Sequence, residues 1–190
     1  LAQVLKRFFD LIVSSGAILL LCLPLFLIAL AVRLESSGPA LYWSKRVGRR
    51  GRIFLMPKFR SMRTDTPVVA THLLEDPDRY LTRLGRQLRR SSLDELPQLY
   101  SVLVGDMSLV GPRPALFNQR DLIELRRENG VDQLRPGITG WAQINGRDEL
   151  PIGEKVAFDV EYLRRRSFTF DLKILFLTAW RVITAHGVSH

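Results

Sequence analysis

Two adjacent carboxylates, Asp94 and Glu95, stand in Ser91-Ser92-Leu93-Asp94-Glu95-Leu96-Pro97-Gln98-Leu99. Arg83, Arg86, Arg89 and Arg90 precede them, and Arg113 follows between Pro112 and Pro114. Carboxylates crowded by guanidinium groups stay ionised, because nearby opposite charge favours the charged form. An ionised carboxylate is a poor general acid but a competent nucleophile or metal ligand. Magnesium takes one or two carboxylates and fills its shell with substrate phosphates. This set of residue types therefore points to phosphoryl chemistry at Asp94 and Glu95. The plainer explanation is a helix start: Ser92 with Glu95 three residues on forms a capping box, and first turns favour acidic side chains. Pro97 complicates it, since proline is comfortable only at the very start of a helix. Either the helix begins at Pro97 and the carboxylates ride on its entry loop, or its first turn is distorted. Both options leave the pair at a helix end, beside backbone donors that suit a phosphate.

Other candidates are softer. The two prolines around Arg113 restrict its backbone, which suits a side chain that must meet an anion with little entropy loss. A surface turn with a solvated arginine would use the same residues. Lys58 and Arg60 follow Pro57, and a headgroup-facing surface is their ordinary explanation. The stretch from Pro136 to Arg147 combines turn residues with hydrogen-bonding side chains, reading equally as a substrate loop or a structural elbow. Cys22 is the sole cysteine and lies in an apolar run, where it serves as soft packing. His72, His186 and His190 show no ligand spacing with one another or with Cys22, so no zinc site is expected.

Something must hold these residues in place, and the most distinctive element is the uncharged run of 22 residues from Leu11 to Val32. As a straight helix it would reach ~33 Å, about one hydrocarbon core. Lys6 and Arg7 flank it on one side, and Arg33, Lys45, Arg46, Arg49, Arg50 and Arg52 on the other. Basic flanks stay cytoplasmic, so the segment is expected to enter and leave on one side, bending at Pro24 as a re-entrant hairpin. Ser14, Ser15 and Gly16 add small or weakly polar groups able to hydrogen-bond backbone inside a membrane. A single span is the second reading. A cleaved secretory signal ending near Ala29-Leu30-Ala31 is the third, although the run exceeds the ~7–15 residues usual there.

The whole chain has 190 residues and a formal charge of +9, enough for one domain plus a membrane element and suited to an anionic partner. Nucleic acid, acidic lipid and a phosphorylated substrate all satisfy the charge alone. Strands are expected at Ala40–Trp43 and Ile53–Phe59, and helices at Arg79–Leu88, Leu99–Val104, Leu116–Glu128, Glu154–Arg165 and Leu172–Thr184. The last is apolar over more than half its circumference, with Trp180, Lys173 and Arg181 at its margins. It suits a core or a headgroup layer equally. The fold class expected is α+β, mostly helical.

Taken together, these motifs resemble the small monotopic bacterial phosphoglycosyl transferases. The resemblance covers nearly the whole chain: Lys6-Arg7-Phe8-Phe9-Asp10-Leu11, Lys58-Phe59-Arg60-Ser61-Met62, the Asp94-Glu95 segment, Gly105 through Pro114, and Pro136-Gly137-Ile138-Thr139-Gly140-Trp141. It implies transfer of a sugar-1-phosphate from a UDP-sugar to polyprenyl (undecaprenyl) phosphate, with release of UMP. By the same resemblance Asp94 is the nucleophile, forming an aspartyl-phosphosugar, and Glu95 helps it hold Mg2+. Arg89 and Arg113 become phosphate and nucleotide contacts, with Lys58, Arg60 and Arg147 as further substrate contacts. Asp159 and Tyr162 match a D-x-x-Y pattern to which no role is assigned. The implied layout is a re-entrant membrane segment at 1–35 and a cytoplasmic catalytic domain with membrane-interface helices at 36–190. It places the chain at the bacterial inner membrane, with phospholipid but no nucleic acid as partner. An N-acetylated amino sugar is expected as cargo, with galactose or glucose as its rival. One departure is Leu23 before Pro24, where relatives often carry a small polar residue, so the bend rests on Pro24. Two other readings compete: a membrane-tethered basic module that binds nucleic acid or anionic lipid without catalysis, and a soluble phosphotransferase with a buried apolar helix.

Overall fold

The computed structural model describes residues 2–67, 76–146 and 150–184. Its first element, α1 (Ala2–Glu35), is a helix of 34 residues with Pro24 inside it. The helix continues through Pro24, which removes one backbone donor without ending it. Among the described residues α1 is the one helix long and apolar enough to cross a membrane.

Both ends of α1 are fastened to the rest of the protein. Lys6 Nζ donates to Val110 O at 3.1 Å and meets Asp171 Oδ2 at 2.5 Å. Arg7 donates to Val102 O and Leu103 O at 2.6 and 2.8 Å. These are the last-turn carbonyls of α4 (Leu99–Val104), at the end of the helix that suits a cation, and Val102 O also takes the capping Gly105 amide. Buried Asp10 accepts from Ser108 Oγ at 2.8 Å and from Leu109 N at 3.2 Å. At the other end, Arg60 donates to Ser36 O, Ser37 O and Ser36 Oγ at 2.6–2.8 Å, closing the C-terminus of α1. Between these ends Leu19, Leu20, Leu23, Phe26 and Leu27 face outward.

After α1, β1 (Leu41–Val47) pairs antiparallel with β2 (Ile53–Phe59), Leu41 opposite Phe59 and Val47 opposite Ile53. Pro57 is tolerated because this two-stranded sheet has only edges. The helix expected at Arg79–Leu88 is two, α2 (Pro77–Tyr80) and α3 (Arg83–Arg90). Thr82 divides them, its Oγ1 accepting from Gly85 N at 2.9 Å, and Glu35 of α1 accepts from Leu84 N at 2.8 Å. A 3-10 turn at Leu93–Gln98 leads into α4. Next come β3 (Ser108–Val110), α5 (Arg120–Glu128), β4 (Gly137–Thr139), α6 (Trp141–Asn145), α7 (Ile152–Arg165) and α8 (Phe168–Ile183).

The short parallel pair β3–β4 and α6 are not among the expected elements, and β4 and α6 lie in the Pro136–Arg147 stretch that reads as substrate loop or structural elbow. Three-residue strands show no usable periodicity, and glycines dominate their ends. Gly137 sits there because its neighbours leave no room for a side chain: a Cβ would stand 2.1 Å from Gly111 N. Gly137→Ala is therefore expected to part the two strands, costing ~3 kcal/mol and lowering Tm by roughly 6–12 °C in a thermal melt.

The main core gathers Phe54 and Met56 of β2, Leu99 and Val102 of α4, Leu109 of β3, and Tyr162 and Ile174 from α7 and α8, with Phe9, Ala17 and Ile18 of α1 against it. A smaller cluster joins Val32 of α1 to Phe59 and Leu88. Helix α8 shows two apolar faces. Phe170 and Ile174 point into the core, whereas Leu172, Phe176, Trp180 and Val182 face out.

Candidate active site

Asp94 and Glu95 lie in the 3-10 turn between α3 and α4, with Pro97 inside the same turn. Of the two geometries left open by Pro97, this is the distorted first turn. Ser92 opens the turn in a left-handed conformation (φ 57°), and its side chain caps nothing. The capping-box explanation therefore fails, because the Glu95 carboxylate turns elsewhere. Lys58 Nζ meets Glu95 Oε1 at 2.7 Å, and Arg113 Nη2 reaches the same oxygen at 3.0 Å with Nη1 3.5 Å from Oε2. Strand β2 delivers Lys58, the 3-10 turn delivers Glu95, and the Pro112–Pro114 segment after β3 delivers Arg113.

The two carboxylates are not equivalent. Asp94 is 6% exposed and makes no hydrogen bond or ion pair among the described residues. Burial raises its pKa above the ordinary aspartate value, against the pull of Lys58. Burial pushes Glu95 the same way, but Arg113 and Lys58 overcome it and hold its carboxyl far below the usual range. The two carboxylates thus sit in different settings: Glu95 is locked as an anion, while Asp94 is desolvated and makes no hydrogen bond or ion pair among the described residues. Burial also lowers the Lys58 pKa, opposed mainly by Glu95. Arg89 donates from Nε to Ser61 Oγ at 3.0 Å, and burial lowers its pKa against the pull of Asp94 and Glu95.

Five sequence candidates therefore converge: Lys58, Arg89, Asp94, Glu95 and Arg113. Arg60 does not join them, since its guanidinium is engaged at the end of α1. Arg147 lies outside the described residues. Arg46, which in the sequence is only flanking charge, donates to Ser44 Oγ and Pro114 O, both at 3.0 Å, and depresses Lys58. Strand alternation carries the signal that would have found it. In the observed register Tyr42, Ser44 and Arg46 share a sheet face with Lys58.

No group of three or more His, Cys, Asp or Glu side chains able to hold a metal occurs among the described residues. Magnesium does not need one, because one or two carboxylates plus phosphate oxygens satisfy it. The partnerless Asp94 carboxylate fits that oxygen-donor role, with Glu95 beside it on the same turn.

A buried carboxylate ringed by cations thus sits on a small α+β body fastened to one helix that is long and apolar enough to cross a membrane. The chain belongs to the bacterial sugar transferase family, whose profile matches residues 1–185. It is 45% identical over 190 residues to EpsL of Bacillus subtilis, an uncharacterized sugar transferase, covering 98% of this chain and 91% of that protein. The undecaprenyl-phosphate glucose phosphotransferase of Komagataeibacter xylinus is 46% identical over 189 residues, 94% of this chain but 36% of its own length. The undecaprenyl-phosphate galactose phosphotransferase of Salmonella typhimurium is 39% identical over 204 residues, 98% of this chain and 42% of its own. The chain thus spans less than half of each of these two larger relatives.

Proposed function

We propose that this protein transfers a sugar-1-phosphate from a UDP-sugar to undecaprenyl phosphate, releasing UMP, in two displacements at Asp94. In the first, an Asp94 carboxylate oxygen attacks the sugar-bearing phosphorus. The new O–P bond forms as the bond to the bridging oxygen breaks, and UMP leaves with that electron pair. In the second, a phosphate oxygen of the lipid attacks the same phosphorus and Asp94 departs as carboxylate. Splitting the transfer lets a soluble donor and a lipid acceptor use the site in turn. Lys58, Arg113 and Arg89 offset charge on the phosphoryl oxygens. Magnesium, when held by Asp94 and Glu95 with the donor's diphosphate, would draw further charge from the phosphates. The observation that carries this reading is the contrast within the doublet, a partnerless buried Asp94 beside a Glu95 clamped by two cations. A basic module that merely bound anions would have no use for that contrast. The test is UMP release from a UDP-sugar in the presence of undecaprenyl phosphate.

The relatives named for glucose and galactose favour a neutral hexose, against the N-acetylated amino sugar expected from the overall resemblance. Assaying UDP-glucose, UDP-galactose, UDP-N-acetylglucosamine and UDP-N-acetylgalactosamine side by side decides between them.

The same proposal sets the membrane geometry. A straight helix of 34 residues would be ~51 Å long, yet Lys6, Arg7 and Asp10 at one end and Glu35 and Ser36 at the other contact a single body. That supports a re-entrant α1, with both ends at the cytoplasmic face of the inner membrane and the exposed leucines immersed. The outward Phe176 and Trp180 of α8 then rest in the headgroup layer. With Cys22 replaced by serine, Gln3→Cys and Ser37→Cys should both react with an impermeant maleimide from the cytoplasmic side of inverted vesicles. Reaction at one position alone would mean a single span.

A further inference from the structure

Helix α7 carries Asp159 and Tyr162 one turn apart, both buried, and neither touches the acidic doublet. Asp159 Oδ2 accepts from Arg126 Nε at 2.9 Å and stands 2.7 Å from Nη2. Arg126, on α5, turns its remaining Nη1 to the backbone oxygen of Arg113 at 2.8 Å. The carbonyls around it are gripped in the same way. Val110 O takes Lys6 Nζ at 3.1 Å and lies 3.3 Å from the Tyr162 hydroxyl, Pro112 O takes Gly137 N at 2.9 Å, and Pro114 O takes Arg46 at 3.0 Å. Five elements, α1, β1, α5, β4 and α7, thus immobilise the short segment from which the Arg113 side chain reaches Glu95.

We propose that Asp159 is a positioning residue for the transfer, acting through Arg126, which fixes the Arg113 backbone and so the line along which the Arg113 guanidinium meets Glu95 and the donor's diphosphate. The inference rests on the reaction proposed above. Stability alone does not account for the pair: well-packed apolar residues of similar volume do as well as a buried ion pair or better. What an apolar pair cannot supply is a directed donor for the Arg113 carbonyl. The fork of an arginine serves both partners because its donors diverge in a fixed plane. A small displacement of a substrate-orienting group lowers turnover by up to ~10²-fold.

The decisive variant is the double change Asp159→Leu with Arg126→Met, which removes both charges together and leaves neither buried alone. Its Tm is expected within a few degrees of the parent, with kcat for UMP release reduced 10- to 100-fold. KM for the UDP-sugar should move less, since the phosphate contacts remain but are misaimed. A double variant with parental kcat overturns the proposal, leaving the pair a packing feature. Should that variant not fold, Arg126→Lys decides. It keeps the charge for Asp159 but not the fork, so at least a fivefold loss of kcat at near-parental Tm is expected, and parental kcat would overturn the idea. If the parent itself releases no UMP from any donor, it is the proposed reaction that fails, and the two failures remain distinguishable.

Discussion

Asp94→Asn is expected to lower kcat for UMP release by about 10⁴-fold or more, the scale of loss when a covalent nucleophile is removed, without weakening the fold. The sign of the stability effect follows from the environment. Burial raises the pKa of Asp94 in the folded state. The native protein then binds that proton more tightly than the unfolded chain does, and near neutral pH the ionised group opposes folding. An amide of the same shape removes the charge, so Tm should stay level or rise. Loss of activity with no loss of Tm separates chemistry from collapse. Mass spectrometry of the parent, quenched during turnover, should find a sugar-phosphate adduct on the peptide holding Asp94, and the variant should show none. An adduct on Glu95 would exchange the two roles. Substantial recovery of Asp94→Asn by added magnesium, with no adduct anywhere, would reduce Asp94 to a metal ligand.

How far the sequence disclosed this site depends on the range of the forces involved. The doublet and Arg89 are legible because like and unlike charges at such short spacing are unusual, and Arg113 because two prolines fix its backbone; Lys58 enters through the family resemblance. Strand β2 and helix α4 were visible because their apolar patterns are local. Arg60 was misread. Nothing nearby in sequence says that its guanidinium meets the end of α1, about 25 residues earlier, at Ser36 and Ser37. In the sequence Lys6 and Arg7 read as topology signals. Their contacts with Val110, Asp171 and the end of α4 lie roughly 100 residues or more along the chain. Desolvation was equally hidden. Composition places Asp94 and Glu95 in one electrostatic setting, and only packing shows that one is paired while its neighbour is not. The β3–β4 pair escaped because three residues cannot reveal a period, although Gly111 and Gly137 marked the close approach.

Glu95→Gln tests the electrostatic half of the proposal, and its signature is a displaced pH profile. The carboxylate is the main influence that keeps Lys58 protonated against burial. Without it the Lys58 pKa falls further, and the alkaline limb of kcat/KM, where that ammonium is lost, moves to lower pH. Glu95 also raises the pKa of Asp94, so its removal shifts the acid limb downward as well. The whole bell should slide toward acid, with its peak reduced about 10²–10³-fold because Lys58 and Arg113 lose the group that orients them. Stability changes in a defined direction. Because the Glu95 carboxyl is held well below its ordinary pKa, it stabilises the fold above its unfolded pKa and ceases to as pH falls through the folded value. At neutral pH the variant should therefore lose about 1–3 kcal/mol, the cost of taking from the partly buried Lys58 ammonium the carboxylate it meets. Lys58→Met supplies the contrast. Lys58 lowers the Asp94 pKa, so its loss should move the acid limb upward, opposite to Glu95→Gln. Loosening of the site in general would shift both profiles alike, whereas opposed acid limbs require Asp94 to titrate between the fields of these two neighbours.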